Sequence, residues 1–335
     1  MRRKLMLLII MALLLSACTS AGPAAEYAPD NSMRLTVYTS HKEEVYLPII
    51  REFEERTGIW VEVVTGGTNE LLQKIESQQD HPVSDVMFGG SVENLEAYVH
   101  CFEPYTAAYS GSIAPAFLAD NSLWTPFSAL PVVLIYNTKL VKPEQITGWS
   151  SLEDPVFQGR IAFADPTVSG SSFTALATRI VACQGQTADL LPLAENLAGH
   201  ILDSSGDVLT AVADGTYLIG ITLEETAMKY LAAGENLALV YPEDGTSCVP
   251  DATALVKNAP HAENAKKFLD FTVCFEVQQL LSDSSYRRPV RIDVPAGSSL
   301  KPMDEIKLVD YDVAWACHNR SIILSDWSFY LKGAD

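Results

Sequence analysis

Apolar residues recur along this chain at two spacings, and the two alternate. Residues 34–40, 59–64 and 85–88 are short apolar or alternating runs that predict strands. Each is followed by a segment with apolar positions at helical spacing: 41–57, closed by Gly58, then 70–79, then 92–99. The turns between strand and helix are small and polar. They are Ser40, with capping-box spacing to Glu43, then Gly66-Gly67-Thr68-Asn69, then Gly89-Gly90-Ser91. Residues 130–137 form an apolar, β-branched run that reads as a buried strand, and 149–155 a single helical turn stopped by Pro155.

A second series of the same kind follows. A strand at 160–163 leads through Ala164-Asp165-Pro166-Thr167-Val168-Ser169-Gly170-Ser171-Ser172 into a helix at 173–181. A helix near 190–202 precedes the turn Ser204-Ser205-Gly206-Asp207, and a strand at 217–221 ends in Thr222-Leu223-Glu224-Glu225. Residues 248–256 read as a strand, 262–281 as one amphipathic helix, and 308–330 as an aromatic helix packing as a brace. Such alternation implies an α/β fold with a mainly parallel sheet and helices on its faces. Ligands of these sheets bind beyond the carboxyl ends of the strands, where the small polar turns lie. Helix starts there offer unpaired N–H groups and a positive dipole end, which suits an oxyanion and above all a phosphoryl group. Each hydroxyl taken singly can equally be a helix cap. The repetition is what points to a site.

The chain has 335 residues and 48% hydrophobic composition, enough for two ordinary domains. Arg2, Arg3 and Lys4 precede an apolar stretch at 5–15 that is too short to span a bilayer stably. Leu15-Ser16-Ala17-Cys18 then matches a bacterial lipoprotein cleavage box, so 1–18 is expected to be a signal peptide with Cys18 acylated, and 19–32 a polar tether. The expected location is extracytoplasmic, anchored to the membrane surface by lipid. Removal of the three leading cations leaves 20 Lys and Arg against 42 Asp and Glu, a formal charge of −22. That argues against nucleic acid as a partner and leaves an anion to be held by local donors. Cys101, Cys183, Cys248, Cys274 and Cys317 lack zinc-site spacing, and export permits one or two disulfides among them. Neither GxGxxG, GxxxxGK[ST] nor GxSxG occurs, and the six histidines show no metal-ligand spacing, so neither an enzyme nor a cofactor is expected. Tyr286-Arg287-Arg288-Pro289-Val290-Arg291 is the one dense basic cluster; it reads either as an anion contact or as a surface loop.

Over essentially its whole length the chain resembles an extracytoplasmic solute-binding protein of an ATP-binding cassette importer. The carriers are the lipobox with its tether, "LTVYTSH", "VVTGGTNELLQKIESQ", "SDVMFGGSVENLEAY", "PVVLIYNTK", "SLEDPVFQGRIAFADPTVSGSSF", "GITLEETAMKY", "VKNAPHAENAKKFLDF" and "RRPVR". The resemblance implies a two-lobed, type II periplasmic-binding-protein-like fold. Each lobe would be a mainly parallel sheet with helices on both faces, and crossing hinge strands would join the lobes. Lobe one would be 33–132 plus 249–300, and lobe two 133–248 plus 301–335. Ferric binders resembling this chain carry adjacent tyrosines where Glu224-Glu225 stand here, and no Tyr-Tyr pair occurs in the sequence. The Gly, Ser and Thr turns are more similar to those of hexose-phosphate binders. That implies a phosphoryl group cradled by Ser40, Thr68, Ser91, Ser171 and Ser172 with the amides of Gly67 and Gly90, and Arg288 as an added contact. His41, Ser205 and Glu224 or Glu225 would then read the sugar. A 2-aminoethylphosphonate or phosphoglycerate is the alternative ligand, with Glu224 or Glu225 pairing an ammonium in the former. The implied partners are a small phosphorylated solute, a cognate permease and, through the lipid, a membrane; the chain is expected to be a monomer.

Overall fold

The computed structural model describes residues 29–183 and 185–333. The signal segment, Cys18 and most of the tether lie outside the described residues. β1 (Arg34–Thr39), α1 (Glu43–Thr57), β2 (Trp60–Thr65), α2 (Thr68–Ser77), β3 (Val86–Ser91) and α3 (Val92–Glu96) follow in the order that the apolar spacing predicts. β1 pairs in parallel with β2, from Arg34↔Trp60 to Thr39↔Thr65, and with β3 on its other side. The expected capping box at Ser40 is not formed: α1 starts two residues later, behind Lys42, with no side-chain cap. The Thr39 hydroxyl instead accepts the His41 amide and donates to the Phe88 carbonyl, which fixes the end of β1 against β3.

β4 (Phe102–Glu103) and then β5 (Thr125–Asn137) follow. All thirteen residues of β5 are buried, and its partners change along its length. From Thr125 to Pro131 it runs antiparallel to β9 (Cys248–Val256); from Val132 to Asn137 it lies between β7 (Ile219–Leu223) and β8 (Leu237–Val240). β6 (Ile161–Ala162) is parallel to β7. One sheet therefore runs in the order β2-β1-β3-β9-β5-β7-β6. It is parallel at each end and antiparallel where β9 and β5 cross the middle. The expectation of a mainly parallel sheet holds only for the ends, because the two long crossing strands return against their neighbours.

Helices α4 (Gly170–Ala182), α5 (Leu191–Leu197), α6 (Ser205–Ala213) and α7 (Glu224–Ala232) surround the half of the sheet built on the second part of β5. The single helix expected at 262–281 is two, α8 (Ala262–Thr272) and α9 (Phe275–Ser284). The ladder breaks at Val273–Cys274, and the Gln278 side-chain amide from α9 donates to the Thr272 carbonyl freed there and to the Phe127 carbonyl. β10 (Arg288–Pro289) pairs with Ser128 and Ala129 of β5. The final helix α10 (Val313–Gly333) is the expected brace: Trp327 is buried edge-on against Phe163 in the core that also holds Trp149 and Phe173. It reaches the other half as well, since the Tyr311 hydroxyl just before it donates to buried Glu93 of α3. All five described cysteines are free thiols.

Candidate functional site

A cleft of about 430 Å³ opens where β1, β3, β6 and β7 reach their carboxyl ends. Four helices, α2, α3, α4 and α6, begin at its wall with Gly67, Ser91, Ser169 and Ser204 as N-caps. Ser40, Thr68, Gly90, Ser171 and Ser205 fill the spaces between these caps. The first amides of each helix have no carbonyl partner within the helix, so the wall is a concave array of N–H and O–H donors. The serines are already arranged as a network. The Ser169 hydroxyl accepts from the Ser172 amide at 3.3 Å and from the Ser172 hydroxyl at 3.1 Å, and Asn94 Nδ2 donates to the Ser91 hydroxyl at 3.1 Å. Gly89 and Gly90 have φ of +101° and +94°, which only glycine adopts without strain and which turns β3 sharply into α3.

The deep wall has a different chemistry. Arg287, buried between the two parts of the sheet, donates through Nη1 to Asp251 Oδ2 at 2.5 Å and to the Ser128 hydroxyl at 2.8 Å. Asp251 also takes the Ser128 amide at 2.9 Å. On its other side Arg287 lies 3.4 Å from Glu225, which is itself 3.0 Å from Lys229. His41 is wedged against Phe88 and Phe127, with Nε2 3.6 Å from Asp251 and no hydrogen-bond partner. Burial would raise the Glu225 carboxyl, but the charges of Arg287 and Lys229 outweigh it and hold Glu225 below its usual range.

Burial, reinforced by the Arg287 charge, holds the His41 imidazole well below its usual 6.5. His41 is therefore neutral in the fold and free to take a proton once unfolded. Its contribution to stability is fully present above about pH 6.5 and shrinks as pH falls toward the depressed value, by at most about 1.4 kcal/mol per pH unit. His41→Phe should flatten this part of the stability curve, measured by urea titration across acidic to neutral pH. Equal slopes in variant and wild type would show that the ring is not its source.

Of the residues singled out in the sequence, Ser40, His41, Gly67, Thr68, Gly90, Ser91, Ser171 and Ser205 line this one cleft. Four do not. Ser172 is buried and spends its hydroxyl on Ser169. Glu225 is sealed into its pairs with Lys229 and Arg287 behind the wall. Glu224 and Arg288 are buried against each other and turn away from the cleft, Arg288 lining a separate cavity. A carboxylate and a guanidinium both starved of water find each other before either finds a ligand. Sequence reasoning missed Asn94, Thr174, Asp203, Ser204, Asp251 and Arg287, all of which line the cleft, as does Ser169 of the turn before α4. Ser169 and Ser204 stand in turns already singled out, and Asp251 is an acid inside an apolar strand, which by itself demands a buried partner. Arg287 is the immediate neighbour of the arginine chosen.

The chain is 26% identical over 314 residues to iron uptake protein A1 of Synechocystis sp., covering 88% of this chain and 86% of that protein. It is 24% identical over 249 residues to a Salmonella typhimurium protein provisionally named a 2-aminoethylphosphonate-binding periplasmic protein, with 72% and 73% covered. Its fold is similar to that of the periplasmic binding protein AfuA from Actinobacillus pleuropneumoniae, solved with exogenous fructose-6-phosphate bound. The TM-score is 0.81 at 22% identity, and the match covers 89% of this chain and 98% of that one. The α/β architecture is thus that of the periplasmic binding proteins. The family description "Bacterial extracellular solute-binding protein" matches residues 86–314, more than half of the sequence, and the chain belongs to that family.

Proposed function

We propose that this chain captures a small phosphorylated solute, a hexose phosphate foremost, in the cleft and delivers it as a monomer to an ATP-binding cassette permease. The acylated Cys18 anchor and the division into lobes at 33–132 plus 249–300 and 133–248 plus 301–335 belong to the same reading. As a member of its family the chain is a transport component and not an enzyme. The observation that carries the ligand class is the convergence of four helix N-termini, with their serines and threonine, on one cleft of about 430 Å³. That volume lies within the range of small-molecule sites. Ser40, Thr68, Ser91, Ser169 and Ser171, with the amides of Gly67 and Gly90, hold the phosphoryl group. His41, Ser205, Asp203, Asp251 and Arg287 face the remainder of the solute. Arg287 and Lys229 offset Asp251 and Glu225 along the deep wall. A wall of balanced charge favours neutral hydroxyls over a second ionic group. The alternative, 2-aminoethylphosphonate, is favoured by the name of the Salmonella relative, and its ammonium would face Asp203. For a ferric ion the lining provides His41, Asp203 and Asp251 and no tyrosine, and Asp251 is already engaged by Arg287 and Ser128.

Thermal denaturation of the chain lacking residues 1–28 tests this reading. A ligand at a hundred times its dissociation constant that binds only the folded state adds about 2.7 kcal/mol, which raises the melting temperature by several degrees. A rise with fructose 6-phosphate or glucose 6-phosphate, and none with fructose or glucose, is expected. A rise with 2-aminoethylphosphonate alone would transfer the reading to the alternative. A rise with ferric citrate alone would overturn the anion site.

A further inference from the structure

Two consecutive arginines meet two consecutive glutamates, and the two arginines line different cavities. Arg287 lines the cleft while Arg288 lines a second, larger cavity of about 960 Å³. Arg287 immediately precedes β10 and Arg288 is its first residue, and the two side chains enter different cavities. Glu225 answers Arg287 on the cleft side at 3.4 Å. Glu224 answers Arg288 on the far side through a forked pair, Nε to Oε2 and Nη2 to Oε1, both at 2.7 Å. This far-side pair is 1% and 2% exposed, and it has further partners: the Tyr241 hydroxyl donates to Glu224, and Arg288 Nη2 donates to the Lys301 carbonyl.

The pairs join parts of the sheet that are otherwise held by different strands. α7, which opens with both glutamates, follows β7 and so belongs with Val132–Asn137 of β5; β10 pairs with Ser128 and Ala129 of the same strand. The junction between them, at Pro131 and Val132, is where β5 changes partners. The forked geometry of Arg288 with Glu224 fixes both distance and angle across this junction. The cleft-side contact, by comparison, is longer and unforked, and Arg287 Nε has no partner.

We propose that Glu224 and Arg288 are a positioning pair for ligand capture: held on the far side of the junction, they set where Arg287 stands in the cleft. This rests on reading Arg287 as a contact to the part of the solute beyond its phosphoryl group. The pair touches no ligand itself. Its effect is therefore selective, falling on the solute's distal part and sparing the phosphoryl group at the helix N-termini.

The test compares Arg288→Met with wild type by calorimetric titration using two probes, fructose 6-phosphate and inorganic phosphate. The expected result is a loss of at least about tenfold in affinity for fructose 6-phosphate, with inorganic phosphate within about twofold of wild type. Arg288→Lys, which keeps the charge without the fork, should fall between the two. Equal weakening for both probes would assign the pair a general structural role and overturn the proposal, as would no weakening for either. A ligand-free arm separates this idea from the choice of ligand. The Arg287 Nε–H resonance is expected to be sharp in wild type, where the guanidinium is held and buried, and to broaden or exchange away in Arg288→Met. If wild type binds neither probe, the ligand assignment fails while this resonance still decides the positioning role; an unchanged resonance overturns it.

Discussion

Arg287→Ala is expected to abolish binding of fructose 6-phosphate and to destabilise the protein by about 3–5 kcal/mol, the usual result of removing one partner from a buried ionic cluster. The guanidinium is the cation that Asp251 and Glu225 share, and both carboxylates are buried. Burial already pushes the Asp251 carboxyl upward against the pull of Arg287 and Ser128. Without Arg287 that carboxyl rises further above its unfolded value. A group raised in this way contributes stability below its unfolded pKa and loses it as pH climbs through the folded one. The gap between variant and wild type should therefore widen from acidic to neutral pH. Urea titrations at several pH values and calorimetric titration with fructose 6-phosphate read the two effects. Arg287→Lys should recover part of the stability and little of the binding, since an ammonium cannot serve Asp251, Ser128 and Glu225 from one planar fork. An Arg287→Ala protein with unchanged stability and affinity would remove Arg287 from the account.

Gly89→Ala is expected to cost nearly as much and to damage the same wall from the other side. The position has φ +101°, and a Cβ there would lie 2.8 Å from His41 Nε2 and 3.0 Å from two further ring atoms. Backbone strain of this kind costs about 1–3 kcal/mol, and over-packing a filled interior costs about 1–3 kcal/mol more. The imidazole has nowhere to go inward, because Phe88 and Phe127 pack against it at ring-centroid distances of 4.6 and 5.3 Å. The ring must tilt into the cleft, so affinity for fructose 6-phosphate should fall together with stability. A melting curve and a titration on the one variant suffice. Full affinity in a destabilised protein would show that His41 does not line the bound solute.

The alternation at the start of the chain was legible because its causes are local. Apolar spacing in 34–58 marks β1, α1 and the Gly58 stop without reference to anything distant. The strand read at 130–137 begins at Thr125. Its first part carries Pro126 and shows no clean period, and it is a strand because β9 and β10 pair with it. The break between α8 and α9 was likewise invisible; in the fold Gln278 just beyond it reaches the carbonyl of Phe127, 151 positions away.

The candidate site divides in the same way. Its small polar turns were determined by the sequence alone, since a Gly, Ser or Thr cluster between a strand and a helix creates unpaired amides wherever the fold puts it. The order of strands then brings those turns to one edge. Which charged residues face that edge was decided only by tertiary structure. Glu224 and Arg288 stand 64 positions apart and read separately as candidate ligand contacts, yet they neutralise each other on the far side of the sheet. Arg287, one residue away, lines the cleft instead. A side chain's hydroxyl or amide keeps its chemistry in any context, whereas a buried charge takes its role from the partner that burial supplies.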